Sequence, residues 1–222
     1  MFKLYDDELC GESYKVRLML GLLGVEYERV RVELYPSKQN GTRRFLAMNP
    51  LGTLPVLDAD GALLHGAHAI LMYLARRHTG ATTEPGEEQT HWLPLDDPLQ
   101  FAQVQTWLDF AAQLSGIVFT LRAQVLHGTP PHDQCRPLEA RKKAQQLLRI
   151  LDETCWFNEA AGTPYVCASV SPTIADIACF VPVALLDEAE IESIDYPALL
   201  RWIARIKRLP GFTTMAGVYA AA

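Results

Sequence analysis

Two kinds of hydrophobic pattern divide this chain. Near its start Phe2 and Leu4 alternate with polar neighbours, and Val30, Val32 and Leu34 alternate with Arg29, Arg31 and Glu33, which predicts two half-buried strands. Between them Val16, Met19, Leu20 and Leu23 return to one face at helical spacing, and Gly24 stands where a helix end favours a left-handed residue. A short helical turn over 43–47 follows. A strand over 55–58 then pairs with 62–64 through the Asp60-Gly61 turn, and a helix over 67–78 closes this part. From Thr79 to Pro98 prolines, glycines and acids accumulate, the composition of an interdomain linker. Beyond it the spacing is helical throughout. Val104, Leu108 and Ala111 form one stripe, Ala144, Leu148, Leu151 and Cys155 a second, and Ile174, Ile177, Ala178, Val181 and Leu185 a third. Thr173 and Asp176 make a capping box with Asp in place of the usual Glu or Gln, and Pro182 predicts a kink or break near Val181. The pattern therefore predicts an α/β unit over 1–79, a linker over 80–97 and an all-helical unit over 98–222.

Composition narrows the partners. With 222 residues, 49% of them hydrophobic, the chain can bury a substantial core. A net charge of −6 and a pI near 5.5 argue against a nucleic-acid partner, because phosphate backbones require a basic surface. No apolar run approaches the length of a membrane span, and the chain opens directly on a strand pattern, so no membrane partner and a soluble cytoplasmic location are expected. The five cysteines, Cys10, Cys135, Cys155, Cys167 and Cys179, are odd in number and lack short paired spacing, as reduced thiols do. His65 and His68 are the only close histidine pair and have no thiolate or carboxylate neighbour, so no metal is expected.

Two segments carry candidate chemistry. In Leu51-Gly52-Thr53-Leu54-Pro55-Val56 a proline opens a strand, which leaves a carbonyl and an amide just before it able to pair with a peptide-like ligand. Cys10-Gly11-Glu12-Ser13 lies between the first strand and the first helix, where backbone amides and the helix dipole favour an anion such as a thiolate. Ser13 reads chiefly as the cap of that helix.

Asn49-Pro50-x-Gly52-x-x-Pro55-Val56-Leu57, followed by Ala69-Ile70-x-x-Tyr73-Leu74, resembles the amino-terminal domain of the cytosolic glutathione transferases, particularly bacterial members of the Ser/Cys type. The likeness extends over nearly the whole chain, through Phe2-Lys3-Leu4-Tyr5, Ser13-Tyr14-Lys15-Val16-Arg17-Leu18, Ser171-Pro172-Thr173-Ile174-Ala175-Asp176-Ile177-Ala178, Tyr196-Pro197-Ala198-Leu199 and Leu209-Pro210-Gly211-Phe212. It implies a thioredoxin-like α/β domain joined to an all-α helical-bundle domain, with a cis bond before Pro55, and a homodimer. It further implies glutathione as co-substrate and a small apolar electrophile or disulfide as second substrate, in detoxification. By the same resemblance Cys10 and Ser13 are the catalytic candidates, Thr53, Leu54, Pro55, Ala67 and His68 the glutathione contacts, and Trp107 and Phe110, with Leu114, the electrophile pocket. Lys38, Gln39, Arg43 and Arg44 occupy the loop that often reaches the glycine carboxylate.

One departure stands out. Where the family has an acid followed by Ser to hold the γ-glutamyl group, this chain has Gly66-Ala67. Each missing charged hydrogen bond is worth roughly 1.5 to 3 kcal/mol, so losing both weakens glutathione binding about a hundredfold unless something replaces them. Two other readings follow from the residues. The chain could be a non-catalytic interaction protein on the same fold, or, because Cys10-Gly11-Glu12-Ser13 has the form Cys-x-x-Ser, a Cys10-dependent thiol-disulfide oxidoreductase.

Overall fold

The computed structural model describes residues 1–78, 92–128 and 137–220. Its first part is a four-stranded sheet with three helices: β1 (Phe2–Asp6), α1 (Gly11–Leu22), β2 (Tyr27–Arg31), α2 (Arg43–Met48), β3 (Val56–Ala59), β4 (Ala62–His65) and α3 (Ala67–Arg77). The strand order is β2-β1-β3-β4, with β2 parallel to β1 and the other neighbours antiparallel. Alternation along β3 explains the layering. Leu57 joins the main core with α1 and α3, whereas Val56 faces a smaller cluster of Val32, Phe45 and Leu54 on the other side of the sheet. Asp60 and Gly61, both at positive φ, form the two-residue turn between β3 and β4. Gly24 follows α1 at φ +62°.

The second part is helical: α4 (Pro98–His127), α5 (Pro137–Ala160), α6 (Ile174–Ala184) and α7 (Pro197–Ile206). The three predicted stripes are all buried. Asp97 caps α4 by accepting from the amides of Leu99 and Gln100, and Pro98 occupies the first helical position, where a missing N–H costs nothing. One continuous apolar core runs from Phe2 and Leu4 through α1 and α3 into α4 and α6. The expected linker lies mostly outside the described residues. Its end does not behave as a spacer, since Trp92 and Leu93 are buried in the core and the Trp92 carbonyl accepts from the Ile174 amide at 2.9 Å.

The capping box at α6 is present, and the buried Asp176 carboxylate also accepts from Val166 N–H at 3.0 Å and Trp202 Nε1 at 3.1 Å. Of the kink or break expected near Val181, the break does not occur at Pro182. The helix continues to Ala184, because Pro182 falls in its last turn and the surrounding residues from Phe180 to Val183 are buried against neighbouring helices. Among the described residues no helix is long and apolar enough to cross a membrane.

Candidate active site

The loop from Asp7 to Cys10 is held from three directions. Asp6, buried beneath it, pairs with Arg17 Nη1 and Arg29 Nε, each at 2.5 Å. Arg17 also donates to the carbonyls of Asp7 (3.1 Å) and Glu8 (3.0 Å). The Asp7 carboxylate accepts from the amides of Leu9 and Leu34, both at 2.9 Å, and Arg122 of α4 donates to the Leu9 carbonyl. These bonds deliver Cys10, half-buried, to the start of α1.

Cys10, not Ser13, occupies the cap position of α1, and its side chain makes no capping bond. Ser13 lies inside the first turn because the helix already begins at Gly11, and its buried hydroxyl lies beside the Cys10 thiol. Burial pushes the Cys10 thiol up, while the hydroxyl and amide of Ser13 pull it back.

Opposite this thiol lies the proline turn. The Leu54-Pro55 bond is cis. Asn49 Nδ2 donates to the Thr53 carbonyl at 2.8 Å and to its hydroxyl at 3.0 Å, and Asn40 Nδ2 donates to the Gly52 carbonyl at 2.7 Å. The carbonyls leading into the turn are thus occupied. Leu54 is different: among the described residues its N–H and C=O have no hydrogen-bond partner. Cys10, Thr53 and Leu54 share a cleft of about 520 Å³, walled by Lys38, Phe119, Arg122 and His127. Tyr35 and His127, which also line it, stack with ring centroids 4.4 Å apart.

Ala67 and His68 line a second cleft, of about 460 Å³, with Glu12, Gly66, Ser115 and Phe119. Glu12 and Phe119 belong to both. At its floor Lys15 is fully buried, and its Nζ lies 2.9 Å and 3.1 Å from the two Glu12 oxygens, 2.8 Å from Ser115 Oγ and 3.3 Å from His68 Nε2. Burial, reinforced by the Lys15 ammonium, depresses the His68 pKa to about 4. Gly66 sits at φ +86°, a conformation that a side chain at this position adopts only under strain.

Of the residues expected from the sequence, Cys10, Thr53 and Leu54 line one cleft and Ala67 and His68 the other; Ser13 and Pro55, both buried, line neither. Trp107 and Phe110 do not join them. They stack edge to face at 5.0 Å, half-buried against the core, and line neither cleft. Lys38 reaches the cleft wall, whereas Arg43 and Arg44 are exposed away from it. Lys15, Ser115, Phe119, Arg122 and His127 were missed. Ser115 and Arg122 carried a signal, because they stand on the buried stripe of α4, where Ala111, Ser115, Val118 and Arg122 follow one another three or four residues apart.

Residues 4–82 match the glutathione S-transferase N-terminal domain family. The fold extends that match to the whole chain. A glutathione S-transferase crystal structure from Pseudomonas fluorescens superposes with a TM-score of 0.80 and 29% identity, covering 96% of this chain and 98% of that one. The first part of the chain carries the glutathione S-transferase N-terminal domain, and the whole chain has the fold of that family. Among relatives within the family, glutathione S-transferase F13 of Arabidopsis thaliana is 28% identical over 79% of this chain and 75% of its own length. Maleylacetoacetate isomerase of Rhizobium meliloti is 42% identical, but only over 37% of this chain and 38% of its own length.

Proposed function

We propose that the chain transfers the thiol of glutathione to a second substrate in the cleft beside Cys10. The observation that carries this reading is the unspent main chain at Leu54 beside the Cys10 thiol in one cleft, at the amino end of α1. The cysteinyl main chain of glutathione pairs with Leu54 N–H and C=O in this reading. Its sulfur points to Cys10 and Ser13, its glycyl end to Lys38, and its γ-glutamyl end to the cleft of Ala67 and His68. The bound thiolate is stabilised by hydrogen bonds and by the amino end of α1, and attacks the electrophilic atom of the second substrate. Because burial raises the Cys10 pKa, Cys10 is a hydrogen-bond donor to the glutathione sulfur rather than a thiolate in its own right. That favours transfer over the oxidoreductase reading.

The Gly66-Ala67 pair favours a second reading, a fold kept for interaction with glutathione binding weakened. Calorimetry with reduced glutathione, followed by conjugation of a small aryl halide, separates the two. Transfer activity is expected in the wild type, with Ser13→Ala and Cys10→Ala each lowering the rate about tenfold to a hundredfold, as the loss of a hydrogen bond to a charged atom does. Binding without conjugation in the wild type would leave the interaction reading standing.

A further inference from the structure

Arg122 does more than its contacts inside the fold require. Its side chain is 6% exposed; Nε donates to Glu188 and Nη1 to the Leu9 carbonyl, yet Nη2 is buried with no partner. A guanidinium carries its donors in a rigid fork, and leaving a charged donor unspent in the interior is costly. An arginine serving only to clip the loop before Cys10 to α4 has no use for that remaining donor. The same side chain forms part of the wall of the Cys10 cleft.

The other charges of this cleft share the bias. The Asp7 carboxylate is occupied by the amides of Leu9 and Leu34, and the Glu12 carboxylate by Lys15. Lys38 forms no ion pair with the described residues. The carboxylates lining the cleft are thus engaged within the protein, whereas Lys38 and one donor of Arg122 are not.

We propose that the second substrate carries an anionic group, a carboxylate in the first instance, which pairs with Arg122 next to Cys10. This deepens the proposed function and rests on its placing the second substrate in this cleft. Arg122 is then the residue that selects the substrate class, where the resemblance implies a small apolar second substrate.

Two alkylating probes that differ in charge test it on the full chain: iodoacetate and iodoacetamide. Each forms a carbon–sulfur bond at Cys10 Sγ, breaks its carbon–iodine bond with release of iodide, and leaves the thiol proton to solvent. Peptide mapping by mass spectrometry assigns the rate to Cys10. Both reagents consume the same thiolate, so the Cys10 pKa cancels in their rate ratio. Relative to the same ratio for N-acetylcysteine, the wild type is expected to favour iodoacetate by about tenfold, from a cation close to the thiol in a partly shielded site. Arg122→Gln should bring the ratio to that of the free thiol, Lys38→Gln should reduce it less, and Glu188→Gln should raise it by freeing the guanidinium from its internal anion.

A wild-type ratio at or below the free-thiol value overturns the proposal, as does a Cys10 that neither reagent modifies. An elevated ratio that survives Arg122→Gln, or falls further in Lys38→Gln, also overturns it. If Arg122→Gln fails to fold, the wild-type and Glu188→Gln ratios decide. No glutathione enters the assay, so a protein that binds no glutathione contradicts the proposed function separately from this result.

Discussion

Two clefts flank the amino end of α1, and they differ in what their polar groups are doing. On the Cys10 side the groups that matter are unspent: the Leu54 main chain and one arm of Arg122. On the Ala67 side they are spent on one another, since Lys15 engages Glu12, Ser115 and His68 within 3.3 Å. The difference teaches that a site is recognised by leftover hydrogen-bonding capacity as much as by residue type. A buried lysine lies beneath the second cleft, yet its charge already belongs to a closed set. Glu12 still lines that cleft together with Gly66, where the family's acid is missing.

The largest expected effect comes from opening the closed set. Lys15→Met leaves Glu12 without its cation and removes the donor to Ser115 and His68, and should cost about 3 kcal/mol in urea unfolding. A loss below about 0.5 kcal/mol, within the range of ordinary surface changes, would mean that the network contributes no more than an exposed pair.

Next comes pH. His68 has a pKa of about 4 in the fold against 6.5 for an unperturbed histidine, so the unfolded chain takes up the proton first as pH falls. Its contribution is complete above the unfolded value and disappears as pH drops towards the folded one, a loss of about 2 kcal/mol once partial exposure is allowed for. His68→Gln should flatten the stability curve over that interval. An unchanged slope would place the acid sensitivity in other groups.

The smallest effects separate the two clefts at residues 66 and 67. Ala67→Ser adds a hydroxyl at the first turn of α3 and should tighten glutathione binding several-fold by calorimetry. Gly66→Glu has open space for its side chain, but the φ of +86° makes it cost about 1 kcal/mol of stability. The double variant therefore gains affinity at the expense of stability. Unchanged affinity would show that the γ-glutamyl end lies elsewhere.

The sheet, the hairpin at Asp60-Gly61 and the buried stripes of α4, α5 and α6 were legible because each rests on local periodicity or turn chemistry. Pro182 misled because position within a helix decides what a proline costs, and the end of α6 lies only two residues beyond it. Ser13 misled for a related reason, since the start of α1 depends on how Arg17 and Arg122 anchor the preceding loop. Within the site, the turn before Pro55 and Cys10 were visible as motifs. The Lys15 network was not, because Ser115 and His68 reach it from other helices, 100 and 53 residues away along the chain. Trp107 and Phe110 looked like pocket residues, but the face of α4 turned to Cys10 begins further along, at Phe119, Arg122 and His127.

The central claim is that a tripeptide thiol lies along Leu54 with its sulfur between Cys10 and Ser13, and a crystal soaked in reduced glutathione tests it most directly. The expected result is a cysteinyl main chain paired with Leu54 N–H and C=O and a sulfur within hydrogen-bonding distance of Cys10 or Ser13. Glutathione bound elsewhere, or an empty cleft at saturating ligand, would contradict it.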